Sequence, residues 1–485
     1  MADGTSTFTS GRNPEPNRTA APFSLRAGAL GLRELVANNI AEIAPAIASI
    51  FVLAAIFHSS GVASPLVILI ACAGFYCHIN VTAEFSRVAP SAGFYATYVA
   101  RAFGPKTGAV IAGGYLLAMF SFYSAIFFQV GVWTSTIAQD AFGLTIPWWI
   151  AALVLEAIVV VLLLRGIKLS VGVAVALFII EAVMLFAGAI AMLVTSGSYI
   201  NWDAFNPANI SGGVSGFGLG FVLAIFLFLG ASGSSPLAEE IKNPRRSLPI
   251  AIYAATFIAF FIYIFVAWSI SVGFHNDATA LNHADFPFVA GVTKAAEPLK
   301  YLVYFAGFTS AIGVLIGAGN AGSRVLYNSA RDGLVPAAAA KVLPNRRTPW
   351  VAIVVPTVAM MIVTLILGPL VGAGNAFNYM ATLATDIFMV VFIVTNIAII
   401  PYFWRKHRDR WSWVRHLIIP VLGVIAFAYP LYAAIDPSQE APYNWFWILL
   451  LGAYVVAFLY SVTRWKKIGR FGERLADDKP DLNWR

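Results

Sequence analysis

Apolar and polar positions along this chain fall into long blocks. Continuous apolar runs of about 20 residues, each enough to cross ~30 Å of hydrocarbon as helix, lie near 35–58, 62–84, 108–137, 147–165, 169–194, 216–238, 249–274, 300–324, 350–368, 376–402, 413–433 and 443–463. The pattern predicts twelve helical spans. A β-barrel would instead alternate lipid-facing and lumen-facing positions over segments of about ten residues, and these runs do not alternate.

Two runs are interrupted from within. Span 1 reads NNIAEIAPAIASIF over 38–51, with Glu42 and Pro45 inside it, and span 6 contains LFLGASGSSPLAEE over 227–240, with Gly230, Gly233 and Pro236. Proline removes a backbone donor and clashes with the preceding turn, and glycine weakens helix by about 1 kcal/mol relative to alanine. Unpaired peptide groups in lipid are tolerated only where they line a cavity or are buried in protein. Breaks at corresponding places in two halves of a membrane chain point to an inverted-repeat transporter with its site near the midplane. The alternative is simple kinking or close packing, because Gly, Ser and Ala are common where membrane helices touch.

Composition agrees with a membrane solvent. Of 485 residues, 59% are hydrophobic and 11% charged, with mean hydropathy +0.78, whereas soluble domains carry about 25% charged residues. With both termini cytoplasmic, all but two of the 31 Lys and Arg fall on the cytoplasmic side, the exceptions being Lys294 and Lys300. That asymmetry follows the positive-inside rule and predicts a multi-pass protein of the cell membrane. The net charge of +8 is a by-product of this topology, and no basic domain offers a nucleic-acid footprint.

The expected organisation is a disordered cytoplasmic tail over 1–26, without a signal-peptide pattern, one transporter domain over 27–464 and a cytoplasmic tail over 465–485. Cys72 and Cys77 lie five apart on one predicted helix and make neither a pair nor a metal set. The outer connections near 195–215 and 275–299 hold Trp202, Phe205, Phe286 and Phe288, which either cap a vestibule or anchor the interface.

Three stretches carry a family resemblance. AEEIKNPRRSLPIAI (Ala238 to Ile252), AEFSRVAPSAGFYATYVARAFGP (83–105) and GSRVLYNSARDGLVPAAAAKVLPNRRTPWVAI (322–353) each stand at a predicted cytoplasmic loop. In them the chain resembles the amino acid–polyamine–organocation (APC) superfamily of permeases over about 30–465. The resemblance implies an all-α integral membrane fold of twelve helices. An inverted five-plus-five repeat (about 30–195 and 214–404), with helices 1 and 6 discontinuous, would be followed by two further helices over about 413–463.

It also implies alternating access and an amino acid or amine substrate held by the two breaks. Carbonyls of the incoming half-helices would take the ammonium and amides of the outgoing halves the carboxylate, as helix-end dipoles favour. By position the first break would comprise Ile43, Ala44, Pro45, Ala46 and Ile47, and the second Gly230, Ala231, Ser232, Gly233 and Ser234. Pro45 has no N–H to give. Phe226 matches the family's bulky gate over the substrate, or simply packs.

The chain departs from the family pattern in three places. The first break, IAPA, has no glycine; the second reads Gly230-Ala231-Ser232 where many members have Gly-Phe-Glu; and Glu181 stands where some members carry a lysine in span 5. Ionisable residues inside a membrane are costly and point to function. Glu42 is therefore a candidate for a substrate ammonium or a proton, and Glu181 for a symported proton, each against a structural role. Glu156 and Asp386 are weaker candidates. Glu239 and Glu240, near Arg245, Arg246, Arg324 and Arg331, read as an inner-gate ion network or as a solvated face.

Phosphate-loop, zinc-protease and nucleophile-elbow motifs are absent, and no histidine spacing suits a metal. No enzyme activity, cofactor or metal is expected. The implied function is secondary transport, by proton symport or exchange. Two alternatives stand beside it: a sodium-coupled symporter using Thr309 and Ser310, or a non-transporting receptor of the same fold.

Overall fold

The structure, a computed structural model, describes residue 25 and residues 28–477. The expected 1–26 tail lies outside the described residues apart from Leu25, as do 478–485 of the C-terminal tail. Leu25 is buried against Tyr327, Val342 and Ala352.

In chain order the helices are α1 (Leu32–Ile43), α2 (Pro45–Ser60), α3 (Ser64–Val88), α4 (Phe94–Phe103), α5 (Pro105–Phe142), α6 (Trp148–Leu164), α7 (Ile167–Ser196), α8 (Gly213–Phe226), α9 (Pro244–Gly273), α10 (Ala278–His283), α11 (Pro287–Ala295), α12 (Leu299–Arg331), α13 (Trp350–Val371), α14 (Ala373–Lys406), α15 (Ile419–Ala434) and α16 (Phe446–Asp477). Among the described residues there is no strand, only the isolated bridges Leu30–Ile241 and Leu343–Thr348. Nine helical stretches there are long and apolar enough to cross a membrane, the first running Leu32–Val88, and two shorter apolar helices, α6 and α8, accompany them.

The core is built around α1 and α2. These are buried almost throughout, as helices surrounded by other helices must be, whereas α7, α13 and α16 expose an apolar face outward. α1 packs on α7, α9 and α12; α2 packs on α8 and α12; α5 lies along α14, and α12 along α7. Gly61, at φ +66°, lets the chain turn from α2 toward α3 where a side chain would collide with Ser211. The N-terminal segment is tied to the far side of the second break, with Leu30 N–H donating to Glu240 O and Lys242 N–H to Leu30 O, both at 3.0 Å.

Candidate substrate site

The first break is a single residue. Ala44 adopts φ 52°, ψ 65°, left-handed, because the ring of Pro45 disfavours the right-handed helical region for the residue before it. Pro45 then serves as the first residue of α2, a position that needs no N–H donor. Pro45, Ala46 and Ile47, expected within the break, are thus the opening turn of the second half-helix. The freed Ile43 carbonyl accepts a hydrogen bond from the Tyr263 hydroxyl at 3.1 Å.

The second break is far longer. α8 ends at Phe226, and from Phe228 to Leu237 the backbone closes short turns such as Leu229 N–H to Phe226 O (3.2 Å), Gly233 N–H to Gly230 O (2.8 Å) and Ser235 N–H to Ser232 O (2.8 Å). Gly230 has φ +96°, a conformation that L residues rarely adopt. Beyond the break the chain forms only a short 3₁₀ segment, Ser235–Glu240, and α-helix resumes only at Pro244. Ser234, just before this segment, is held by α1. Its N–H donates to Asn39 Oδ1 (2.8 Å) and its hydroxyl to Leu35 O (3.1 Å).

Glu42 sits where the breaks meet. A Cβ on Gly233 would lie 1.6 Å from Glu42 Oε2, one on Gly230 2.7 Å from its Cγ, and one on Gly317 of α12 2.8 Å from its Cβ. Three glycines therefore make the notch that admits this side chain. Glu42 is 4% exposed and its Oε2 has no hydrogen-bond partner. It lines two cavities. The smaller is lined by Ile43, Ala44, Ile47, Phe226 and Gln129 among others. The larger is lined by Gly230, Ser232, Gly233, Tyr95 and Tyr115 among others.

Pro45, Ala46, Ala231 and Ser234 line neither cavity. Glu181 is likewise apart from them: its carboxyl faces the Ala46 amide and lies beside Ser310, and neither Glu181 Oε2 nor Ser310 Oγ has a hydrogen-bond partner. Glu156 and Asp386 are fully buried elsewhere, Glu156 next to Thr357.

Some residues at the site were missed from sequence. Gln129 is 1% exposed with both amide atoms unpartnered. His78 bridges Asn396 Oδ1 (3.0 Å) and the Tyr95 hydroxyl (2.9 Å) behind the larger cavity; with one ring nitrogen donating to Asn396, the other accepts from Tyr95. For Gln129 and His78 the available signal was a polar residue within an apolar run. Tyr263 offered none.

The profile of the family described as "Amino acid permease" matches residues 35–470. The chain belongs to the amino acid permease family. Its relatives include the branched-chain amino acid permease BcaP of Bacillus subtilis (strain 168), 27% identical over 54% of this chain and 53% of BcaP. They also include the low-affinity putrescine importer PlaP of Escherichia coli (strain K12), 25% identical over 69% and 73%, and the methylthioribose transporter of Bacillus subtilis (strain 168), 26% identical over 78% and 82%. The match thus spans about half the length of BcaP and nearly three quarters of PlaP. This is a family of transporters rather than enzymes, and the chain is a multi-pass membrane protein. In fold the permease is similar to Mhp1, a nucleobase-cation-symport-1 family transporter solved in a closed conformation with bromovinylhydantoin bound (TM-score 0.51, 15% identity, 95% of this chain and 99% of that one).

Ion pairs and aromatic contacts flank the candidate site. At one end Glu240 pairs with Arg324 (2.9 Å, each 1% exposed), and Glu239 pairs with Arg331 (2.7 Å) nearer the surface. Arg324 also donates to Asn320 and Ser323, and Asn320 to Ser170 of α7, so the buried pair ties the second break to α12 and α7. At the other end Phe226 meets Phe377, which meets Phe51, and Phe51 packs on Trp133 and Phe286. Phe286 and Phe288 thus turn inward, while Trp202 is exposed and stacks on Trp268.

Proposed function

We propose that this permease is a secondary transporter that moves an amino acid or related organic amine by alternating access around Glu42. The observation that carries the reading is the placement of one unpartnered carboxylate oxygen between two cavities, at the meeting of two interrupted helices. Glu239–Arg331 and Glu240–Arg324 form the inner gate, and the stack from Phe226 to Phe286 the outer one. A ligand reaching Glu42 must open these closures singly, and the segment between them is irregular backbone that can rearrange without unwinding a whole helix.

Twelve spans follow when α1 with α2 counts as the first, α3 as the second, and α8 with its break as the sixth. The packing supports an inverted five-plus-five repeat. Span 3 lies along span 10, span 8 along span 5 and span 2 along span 7, a set left unchanged when each span is exchanged with the one five places away. The bias of Lys and Arg supports cytoplasmic termini and a cell-membrane location.

Glu181 is assigned the coupling role, as the proton carrier at the start of α2, with Glu42 answering the substrate. The test is uptake by purified protein in liposomes under imposed pH and sodium gradients. Proton-driven accumulation is expected, with Glu181→Gln flattening the pH profile and leaving exchange intact. Sodium dependence without proton dependence would remove the role given to Glu181 and favour a cation site at Thr309 and Ser310. Binding without any exchange would favour a receptor.

A further inference from the structure

A separate pocket lies at the end of the bundle that carries the Glu240–Arg324 pair, away from the Glu42 cavities. It opens between two connections. One is the corner from α6 into α7, with Arg165, Gly166 and Ile167; the other is the turn before α13, with Asn345, Arg346 and Arg347. The turn is tied across its base by Leu343 N–H donating to Thr348 O (2.9 Å) and Arg347 N–H to Leu343 O (2.8 Å), which sets two adjacent arginines at its tip. The corner comes close to them: a Cβ on Gly166 would lie 4.0 Å from Arg346 O, and Arg346 Nη1 donates a long hydrogen bond to Arg165 O at 3.4 Å.

Three guanidiniums thus share one pocket with little to neutralise them. The chain has no acidic residue between Glu156 and Glu181 or between Asp332 and Asp386, so neither connection brings a counter-charge of its own. Among the described residues, Arg165, Arg346 and Arg347 take part in no ion pair. Glu240 is the one carboxylate there in the wall, and it is committed to Arg324 at 2.9 Å. Like charges held this close repel, and a single anion between them turns that repulsion into attraction. All three arginines are exposed, so an anion reaches them without unfolding anything. Guanidinium groups pair with phosphate oxygens through two parallel hydrogen bonds, and the first turn of α7 adds the positive end of a helix dipole.

We propose that this pocket binds a phosphate group, with Arg165 on one side and Arg346 and Arg347 on the other, and that the bound anion clamps the α6–α7 corner to the turn before α13. The level of the pocket favours a phospholipid headgroup as the source. Arg165 directly follows apolar α6, Leu169 is 46% exposed, and Trp350, 39% exposed, opens α13 just after the turn. Exposed tryptophan beside arginines at the end of an apolar helix marks the boundary between hydrocarbon and headgroups, where basic pockets between spans take anionic lipids. Inorganic phosphate carries the same chemistry from solution, and the experiment separates the two sources.

The test titrates the detergent-purified protein with dioctanoyl phosphatidylglycerol, with dioctanoyl phosphatidylcholine, whose choline cation offsets its phosphate, and with inorganic phosphate. Binding is read by calorimetry, and the clamp by hydrogen exchange of the backbone amides over 163–170 and 343–348. Phosphatidylglycerol is expected to bind about tenfold or more tighter than phosphatidylcholine and to slow exchange in both segments. Arg346→Gln combined with Arg347→Gln should weaken it by at least about tenfold, the size of one lost charge-assisted hydrogen bond. Arg165→Gln, on the other connection, should do the same and keeps the test open if the double variant fails to fold. Arg408→Gln combined with Arg410→Gln removes two charges from the connection between α14 and α15 and should leave affinity unchanged. Inorganic phosphate binding as tightly as phosphatidylglycerol, with the same dependence on the three arginines, supports the site and assigns it a soluble source. Equal binding of phosphatidylcholine, affinity unchanged by loss of the pocket arginines, an equal loss in the Arg408 and Arg410 variant, or no binding of either anion overturns the site. Binding without slower exchange in either segment overturns the clamp.

Discussion

The two breaks look equivalent in the sequence and are built by different means. The first is one left-handed alanine forced by the proline after it, and its neighbouring polar groups are met at once by Tyr263 and Glu181. The second runs from Leu227 to Glu240, closes on itself by short turns, and leans on α1 through Asn39. The difference teaches that a proline break interrupts a helix without opening it, whereas glycines next to a side chain from another span create room. The first break is a tight corner, and the second is an extended wall of the larger Glu42 cavity.

That contrast can be broken or sharpened by substitution. The largest effect is expected from Gly233→Leu, because even a Cβ there would overlap Glu42 Oε2; exchange should be abolished while the protein still elutes as a single species, and wild-type flux would refute the notch. Next comes Glu240→Gln, which leaves Arg324 buried without its counter-charge and should cost about 3–5 kcal/mol, read as a marked drop in thermal midpoint. Glu239→Gln breaks a pair exposed to solvent and should cost no more than about 1 kcal/mol; equal losses would mean the two pairs are not layered as described. The smallest effect belongs to the first break. Ala44→Gly relieves a left-handed alanine, which costs roughly 1–2 kcal/mol, less the backbone entropy glycine adds, so the midpoint should rise slightly with transport unchanged. A fall would show that the corner depends on more than Pro45.

Much of the scaffold could be read from the chain. Pro45 and the Gly230–Pro236 stretch marked the interruptions correctly, because the ring of Pro45 acts on Ala44 and Gly230 takes a positive φ. Glu239, Glu240, Arg324 and Arg331 were grouped by their place at the ends of spans, and the structure pairs them two by two. The extent of the second break was not legible. Leu237, Ala238 and Glu239 carry no sign against α-helix, yet they form a 3₁₀ turn next to Ser234, which Asn39 holds. Gln129, Tyr263 and Gly317 were missed because their importance lies in which helix they face.

By itself, then, the sequence determined the apolar runs, the points where two of them fail, and the uneven spread of charge between them. These are matters of transfer free energy and of local backbone sterics, decided residue by residue. Only the tertiary structure decided what the freed polar groups meet. It set Glu181 rather than a ligand before the Ala46 amide, put Glu42 in a notch of glycines from two other spans, and left one carboxylate oxygen facing aromatic walls. A hydrogen bond's partner depends on how helices far apart in sequence are packed, and span periodicity alone does not encode that choice.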